Sequence, residues 1–148
     1  MIQLLTGIQN TSAALDAERT RLDVISQNIA NAHTTHDVDG KPYQRRVVVF
    51  ENELNNAMNG GTEGLSSMHV AKIERDPRPP ISIYDPGSPE ADAKGMVATP
   101  NINIHEEMAD LISASRTFEA NLAVVKNARS MAMQTLAIGR HLKPLTEN

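Results

Sequence analysis

The chain has 148 residues, 40% hydrophobic and 22% charged, but only 3% aromatic and with no Cys or Trp. That is the length of one domain, yet large aromatic side chains dominate the burial of compact cores, so a thick globular core is not expected. Lack of cysteine excludes disulfides, thiolate metal sites and Cys nucleophiles, and a formal charge of −4 offers no basic surplus for nucleic acid or an anionic membrane surface.

The N-terminus, MIQLLTGIQN, has no Lys or Arg and no unbroken apolar core, so it does not read as a secretory signal. No window reaches the roughly 18 apolar residues of a membrane span. Six of eight glycines and seven of eight prolines lie between Gly40 and Pro100, and both residues are poor in helix interiors. This divides the chain into an N-terminal segment 1–34, a middle segment 35–102 and a C-terminal segment 103–148, with room for a long helix in each flank.

In the first flank Ile8, Leu15, Leu22 and Ile29 recur every seven residues, and Leu4, Ile25 and Ala32 fill part of a second position interrupted by Thr11 and Glu18. This predicts a helix with a narrow apolar stripe. At its end Ser26, Gln27, Asn28 and Asn31 form an amide-rich cluster. Amides donate and accept together, so the cluster either caps the helix or bonds across to another chain. His33, His36, Asp37 and Asp39 follow. They carry metal-ligating chemistry, but the glycine of a calcium loop would come early at Gly40 and Val48 stands where its last glutamate belongs; a solvated turn is the expectation.

The middle reads as a small β-rich unit. Arg46–Phe50, Met68–Glu74 and Ile81–Tyr84 are short, β-branched and bounded by turn residues, which predicts three strands. The stretch 59–67 is expected to be a mobile loop, and Asp76–Pro80 and Asp85–Pro89 should be extended because proline restricts its own and the preceding residue.

The second flank has the strongest periodicity: Ile104, Met108, Leu111, Ser115, Phe118, Leu122, Val125, Arg129, Ala132 and Leu136 alternate in steps of three and four. Asn103 with Glu106 predicts an N-cap, and Gly139 with Pro144 a stop. Ser113, Ser115, His105 and Glu106 lie on this one helix without an implied concavity, and no phosphate-binding glycine motif or helical zinc motif is present. The chain is expected not to be an enzyme and to need no catalytic residues, metal or cofactor.

Charge distribution points to assembly. The first charged side chain is Asp16, and residues 127–139 carry only Arg129. Paired antiparallel, the two flanks would bring these stretches to one end of a helical hairpin. Around the C-terminal half, Val124, Met131, Met133 and Ile138 join the stripe to make the helix apolar nearly all round, the mark of a buried helix. Neighbouring subunits are the expected cover; the alternative is a monomeric bundle in which the middle segment folds over the helices.

Ser26-Gln-Asn-Ile-Ala-Asn-Ala-His-Thr34 closely resembles the N-terminal signature of the bacterial flagellar axial proteins, the rod, hook and hook-associated subunits. Tyr84-Asp-Pro-Gly-Ser-Pro-Glu-Ala-Asp92, Gly95-Met-Val-Ala-Thr-Pro-Asn-Ile-Asn103 and Glu106-Glu-Met-Ala-Asp-Leu-Ile-Ser-Ala-Ser-Arg116 look like the proximal-rod members of that family, as do Asp39-Gly-Lys-Pro-Tyr43 and Val47–Phe50. The short middle segment agrees, since hook and distal-rod relatives carry larger insertions.

The resemblance implies a mainly α fold, with long N- and C-terminal helices paired as an antiparallel coiled-coil hairpin around a small β-rich middle segment. It implies a structural subunit of the flagellar basal body, exported without a cleaved signal through the flagellar type III apparatus. Its partners would be copies of itself and other rod proteins, forming the drive shaft in the periplasm; no nucleic acid or small-molecule substrate is expected. The seam is expected at Ile8, Leu15, Leu22, Ile29, Met108, Leu111, Phe118, Leu122, Val125 and Leu136, and the subunit interface at Asn28, Asn31, Val124, Met131, Met133 and Ile138. The rival reading is a soluble helical-hairpin adaptor that docks partner proteins without forming a tube.

Overall fold

A computed structural model describes residues 2–54 and 66–141. Helix α1 spans Ile2–Ala30 and helix α2 spans Ile104–His141, about 43 and 57 Å long at 1.5 Å per residue. Between them run β1 (Arg46–Leu54), β2 (Ser66–Arg75), β3 (Ile81–Tyr84) and β4 (Met96–Thr99).

Local hydrogen bonds close the end of α1 and open α2. Thr11, Thr20 and Ser26 turn their hydroxyls back onto the carbonyls of Gly7, Asp16 and Leu22, so these three hydroxyls are satisfied within α1. Past Ala30, the Asn31 backbone N and side-chain Nδ2 both donate to Gln27 O, at 3.0 and 2.9 Å. Asn103 Oδ1 accepts from His105 N at 3.1 Å, the expected N-cap of α2. The expected stop at Gly139 is passed, since α2 continues to His141; a glycine costs about 1 kcal/mol in a helix, too little to end one.

Among the described residues the middle segment holds two two-stranded antiparallel sheets. β1 pairs with β2 from Arg46↔Arg75 to Leu54↔Ser66, with a register shift between Val49 and Phe50. Val49 faces Lys72 and Phe50 faces Val70, so Ala71 is the extra residue of a β-bulge. β3 pairs with β4 from Ile81↔Thr99 to Tyr84↔Met96. Strand β4 was not among the expected strands; Met-Val-Ala-Thr carries little alternation, although Gly95 and Pro100 punctuate it. The expected loop 59–67 is corrected at its end, because Ser66 and Ser67 pair with Leu54 and Glu53. Its remaining positions, 59–65, lie outside the described residues.

Helix α1 lies against α2 and against both strands of the first sheet. Buried apolar residues among those described are Ala17, Val24, Ile25, Ala32, Tyr43, Val97 and Ala114, mostly small side chains, as the scarcity of aromatics implies. The core is thin, and much of the specificity at its centre comes from polar groups.

Candidate functional site: buried junction and assembly surface

The end of α1, the start of β1 and the start of α2 meet at Asn28. This side chain is 1% exposed. Its Nδ2 donates to Arg46 O at 2.9 Å and to Glu107 Oε2 at 3.0 Å. Its Oδ1 accepts from Arg46 N at 2.9 Å and from the Tyr43 hydroxyl at 3.2 Å. Two donors and two lone pairs are the full capacity of an amide, and all are used within the chain. Asn28, expected in the subunit interface, therefore has no group left for another subunit.

Glu107, also 1% exposed, would be costly if unpaired. Its second oxygen accepts from Arg45 Nε at 2.7 Å. Arg45 Nη1 lies 3.4 Å from Asp76 Oδ2, and Nη2 lies 3.9 Å from Asp110 Oδ2. Asp76 in turn accepts from Arg78, whose Nη2 approaches to 2.7 Å and whose backbone N donates to Oδ1 at 3.0 Å. These bonds from Arg78, with Arg45 adding its charge, hold the Asp76 carboxyl down at about 2. Burial pushes the Tyr43 hydroxyl above its usual range, partly offset by Arg46.

The seam residues are placed less uniformly than the heptad pattern implies. Ile8, Leu15, Leu22 and Ile29 are half-buried in α1, where the deepest positions are Ala17, Glu18, Val24, Ile25 and Asn28. In α2 Leu111, Phe118, Leu122 and Val125 are half-buried, while Met108 and Leu136 are exposed. The protected row runs through Glu107, Leu111, Ala114, Phe118, Asn121, Val125, Ala128 and Ala132, itself alternating in steps of four and three. It shares Leu111, Phe118, Val125 and Ala132 with the expected stripe but takes Glu107, Ala114, Asn121 and Ala128 where the stripe has Met108, Ser115, Leu122 and Arg129, so the two rows have one period and differ by one residue at alternate positions.

Of the expected interface residues, Asn31 bonds locally at the end of α1. Val124, Met131, Met133 and Ile138 are all more than half exposed, Ile138 reaching 63%. With Leu136 they leave apolar side chains exposed on more than one side of α2, and between 127 and 139 the only charge is Arg129.

In the 33–39 turn, Tyr43 N donates to Thr34 O and Gly40 N to Asp37 O, and Gly40 adopts a φ of 67°. His36 Nδ1 lies 3.1 Å from Glu90 Oε1, and Asp39 lies 3.6 Å from Arg75. Among the described residues no three His, Asp or Glu side chains are grouped to hold a metal.

Sequence reasoning missed Glu107, Arg45, Tyr43 and Asp76 as members of one network. A buried polar residue leaves no gap in composition, and the only available signal was the seven-residue step from Glu107 to Ala114.

Comparison with known proteins identifies the family. Residues 8–35 match the family described as flagella basal body rod protein, and residues 93–138 match the flagellar basal body rod FlgEFG protein C-terminal family. The flagellar basal-body rod protein FlgC of Borreliella burgdorferi is 41% identical over 150 residues, covering 91% of this chain and 97% of that protein. The FlgC proteins of Escherichia coli O157:H7 and Bacillus subtilis are 38% and 36% identical, covering 93% and 88% of this chain and 98% and 94% of theirs. The chain belongs to the FlgC family of flagellar basal-body rod proteins, and it is a structural component of the rod rather than an enzyme.

Proposed function

We propose that this rod subunit stands in the proximal rod, where its two long helices pair as an antiparallel coiled-coil hairpin and pack against copies of itself and other rod proteins to form the drive shaft. The observation that carries this is the exposed apolar surface of Val124, Met131, Met133, Leu136 and Ile138 on a nearly uncharged stretch. A monomer in water gains nothing from such a surface, whereas a tube of packed helices buries it. The bond from Asn28, near the end of α1, to Glu107, near the start of α2, supports the antiparallel arrangement, with Leu111, Phe118, Leu122 and Val125 facing Leu22, Leu15 and Ile8. Passage through the flagellar export apparatus and a periplasmic position follow from this role. The thin core agrees with export in an unfolded form and folding on assembly.

The test is complementation of a strain lacking this chain, with imaging of gently extracted basal bodies. The wild-type chain should restore complete rods containing it, and Phe118→Ala, which removes a large seam side chain, should not. Complete rods without the chain, or normal swimming by Phe118→Ala, would refute the reading.

A further inference from the structure

A cleft of about 250 Å³ lies between the 37–46 segment and the 75–80 segment. Its walls carry Lys41, Arg46, Arg75 and Arg78 against Asp37 and Asp39; with Arg78 taken up by Asp76, three cations face two carboxylates, a small positive excess on a chain whose formal charge is −4. Arg46 and Arg75 stand directly opposite each other at the end of the β1–β2 ladder. Like charges so placed repel and weaken a sheet.

Their internal partners are weak. Arg75, whose side chain is 62% exposed, comes no nearer than 3.6 Å to Asp39. Arg46 reaches Gln27 Oε1 at 3.4 Å and holds its guanidinium 5.7 Å from the centre of the Tyr43 ring. Two such guanidiniums on a concave wall offer the fixed donors that carboxylates bind best.

The same chain carries the complementary charge. Residues 85–92, DPGSPEAD, hold three carboxylates and no cation. This loop is already folded: Asp85 N donates to Gly95 O, Ser88 N to Asp85 O and Ala91 N to Ser88 O, while Asp92 Oδ1 accepts from Lys94 N and Met96 N. A preformed loop loses little conformational entropy on docking. It does not fill its own cleft, since no residue from 81 to 95 lines it and Glu90 is held beside His36. A patch and its complement at separate places on one chain make a head-to-tail contact that continues from copy to copy.

We propose that the Arg46–Arg75 cleft receives the acidic 85–92 loop of a second copy of this chain, which rests on the reading that copies stand side by side in the rod. The chain contains no cysteine, so cross-linking can be directed. Two differently tagged copies, one Arg75→Cys and one Glu90→Cys, are expressed together and their extracted basal bodies treated with a short bis-maleimide. The expected product joins the two tags; rods that contain both tags without it overturn the proposal. In a second arm, Arg75→Glu should lose incorporation into the rod and the double variant Arg75→Glu/Glu90→Arg should recover it. Full incorporation of the single variant, or no recovery in the double, overturns the proposal. Absence of the tagged wild-type chain from every rod would instead overturn the reading beneath it.

Discussion

Asn28 spends every hydrogen-bonding position inside the chain, so removing it orphans several groups at once. Asn28→Ala would leave Glu107 Oε2, the Tyr43 hydroxyl and the Arg46 backbone without this partner. Each buried unsatisfied group costs roughly 1–3 kcal/mol, and some will find water, so a loss of about 2–4 kcal/mol is expected in urea unfolding. Asn31→Ala, at the more exposed helix end, should cost about 1 kcal/mol or less; equal effects would argue against the four-bond network. Asp76 makes a prediction in pH. Its carboxyl is held at about 2, below the ordinary 3.8. The stabilisation is therefore fully present above about pH 4 and is lost as pH falls through that window towards 2. Asp76→Asn should reduce the slope of stability against pH between those values while leaving the slope near neutrality unchanged.

At the scale of elements, the β3–β4 hairpin depends on Gly95. Its φ is 76°, in the region that costs other residues about 1–2 kcal/mol, and a Cβ there would sit 3.0 Å from Tyr84 Cε2 and 3.2 Å from Pro86 Cβ. Gly95→Ala should destabilise this hairpin by at least that strain and weaken amide protection at Asp85 N, which donates to Gly95 O. Gly40→Ala is the useful comparison. Its φ is similarly positive, but nothing lies within 4 Å of the added Cβ, so only the backbone strain applies. Hydrogen exchange at both turns separates the two contributions; equal disturbance would show that the contact with Tyr84 does not matter.

For the whole molecule, the decisive feature is apolar surface that the single chain leaves uncovered. Met133 is 62% exposed, so Met133→Glu should be tolerated by the isolated chain. In an assembly that encloses this end, the same unpaired charge costs several kcal/mol even after relaxation. Met133→Glu and Gln9→Glu should therefore be expressed and exported but excluded from the rod. Ala71→Glu, on an exposed stretch of β2 beside Lys72 and Glu74, should assemble. Quantifying each variant in purified basal bodies checks this, and incorporation of all three at wild-type levels would show that the uncharged end is not a subunit contact.

The linear sequence by itself determined the two helices, the Asn103 cap, three of the four strands and the assignment to the rod family. Each rests on a signal carried by near neighbours: apolar periodicity, glycine and proline punctuation, β-branched runs, or an unbroken motif. Only the tertiary structure decided which helix face is protected in α2, because two heptad rows share Leu111, Phe118, Val125 and Ala132, and the pattern favoured the apolar Met108 and Leu122 where packing buries Glu107 and Ala114 more deeply. Only it revealed the strand β4, whose four residues become a strand by pairing with β3. It also decided the role of Asn28, which the chain could have spent on a cap or on a neighbour. Its partners Tyr43, Arg46 and Glu107 lie 15, 18 and 79 positions away, and a hydrogen bond between distant residues leaves no periodic mark on the sequence that encodes it.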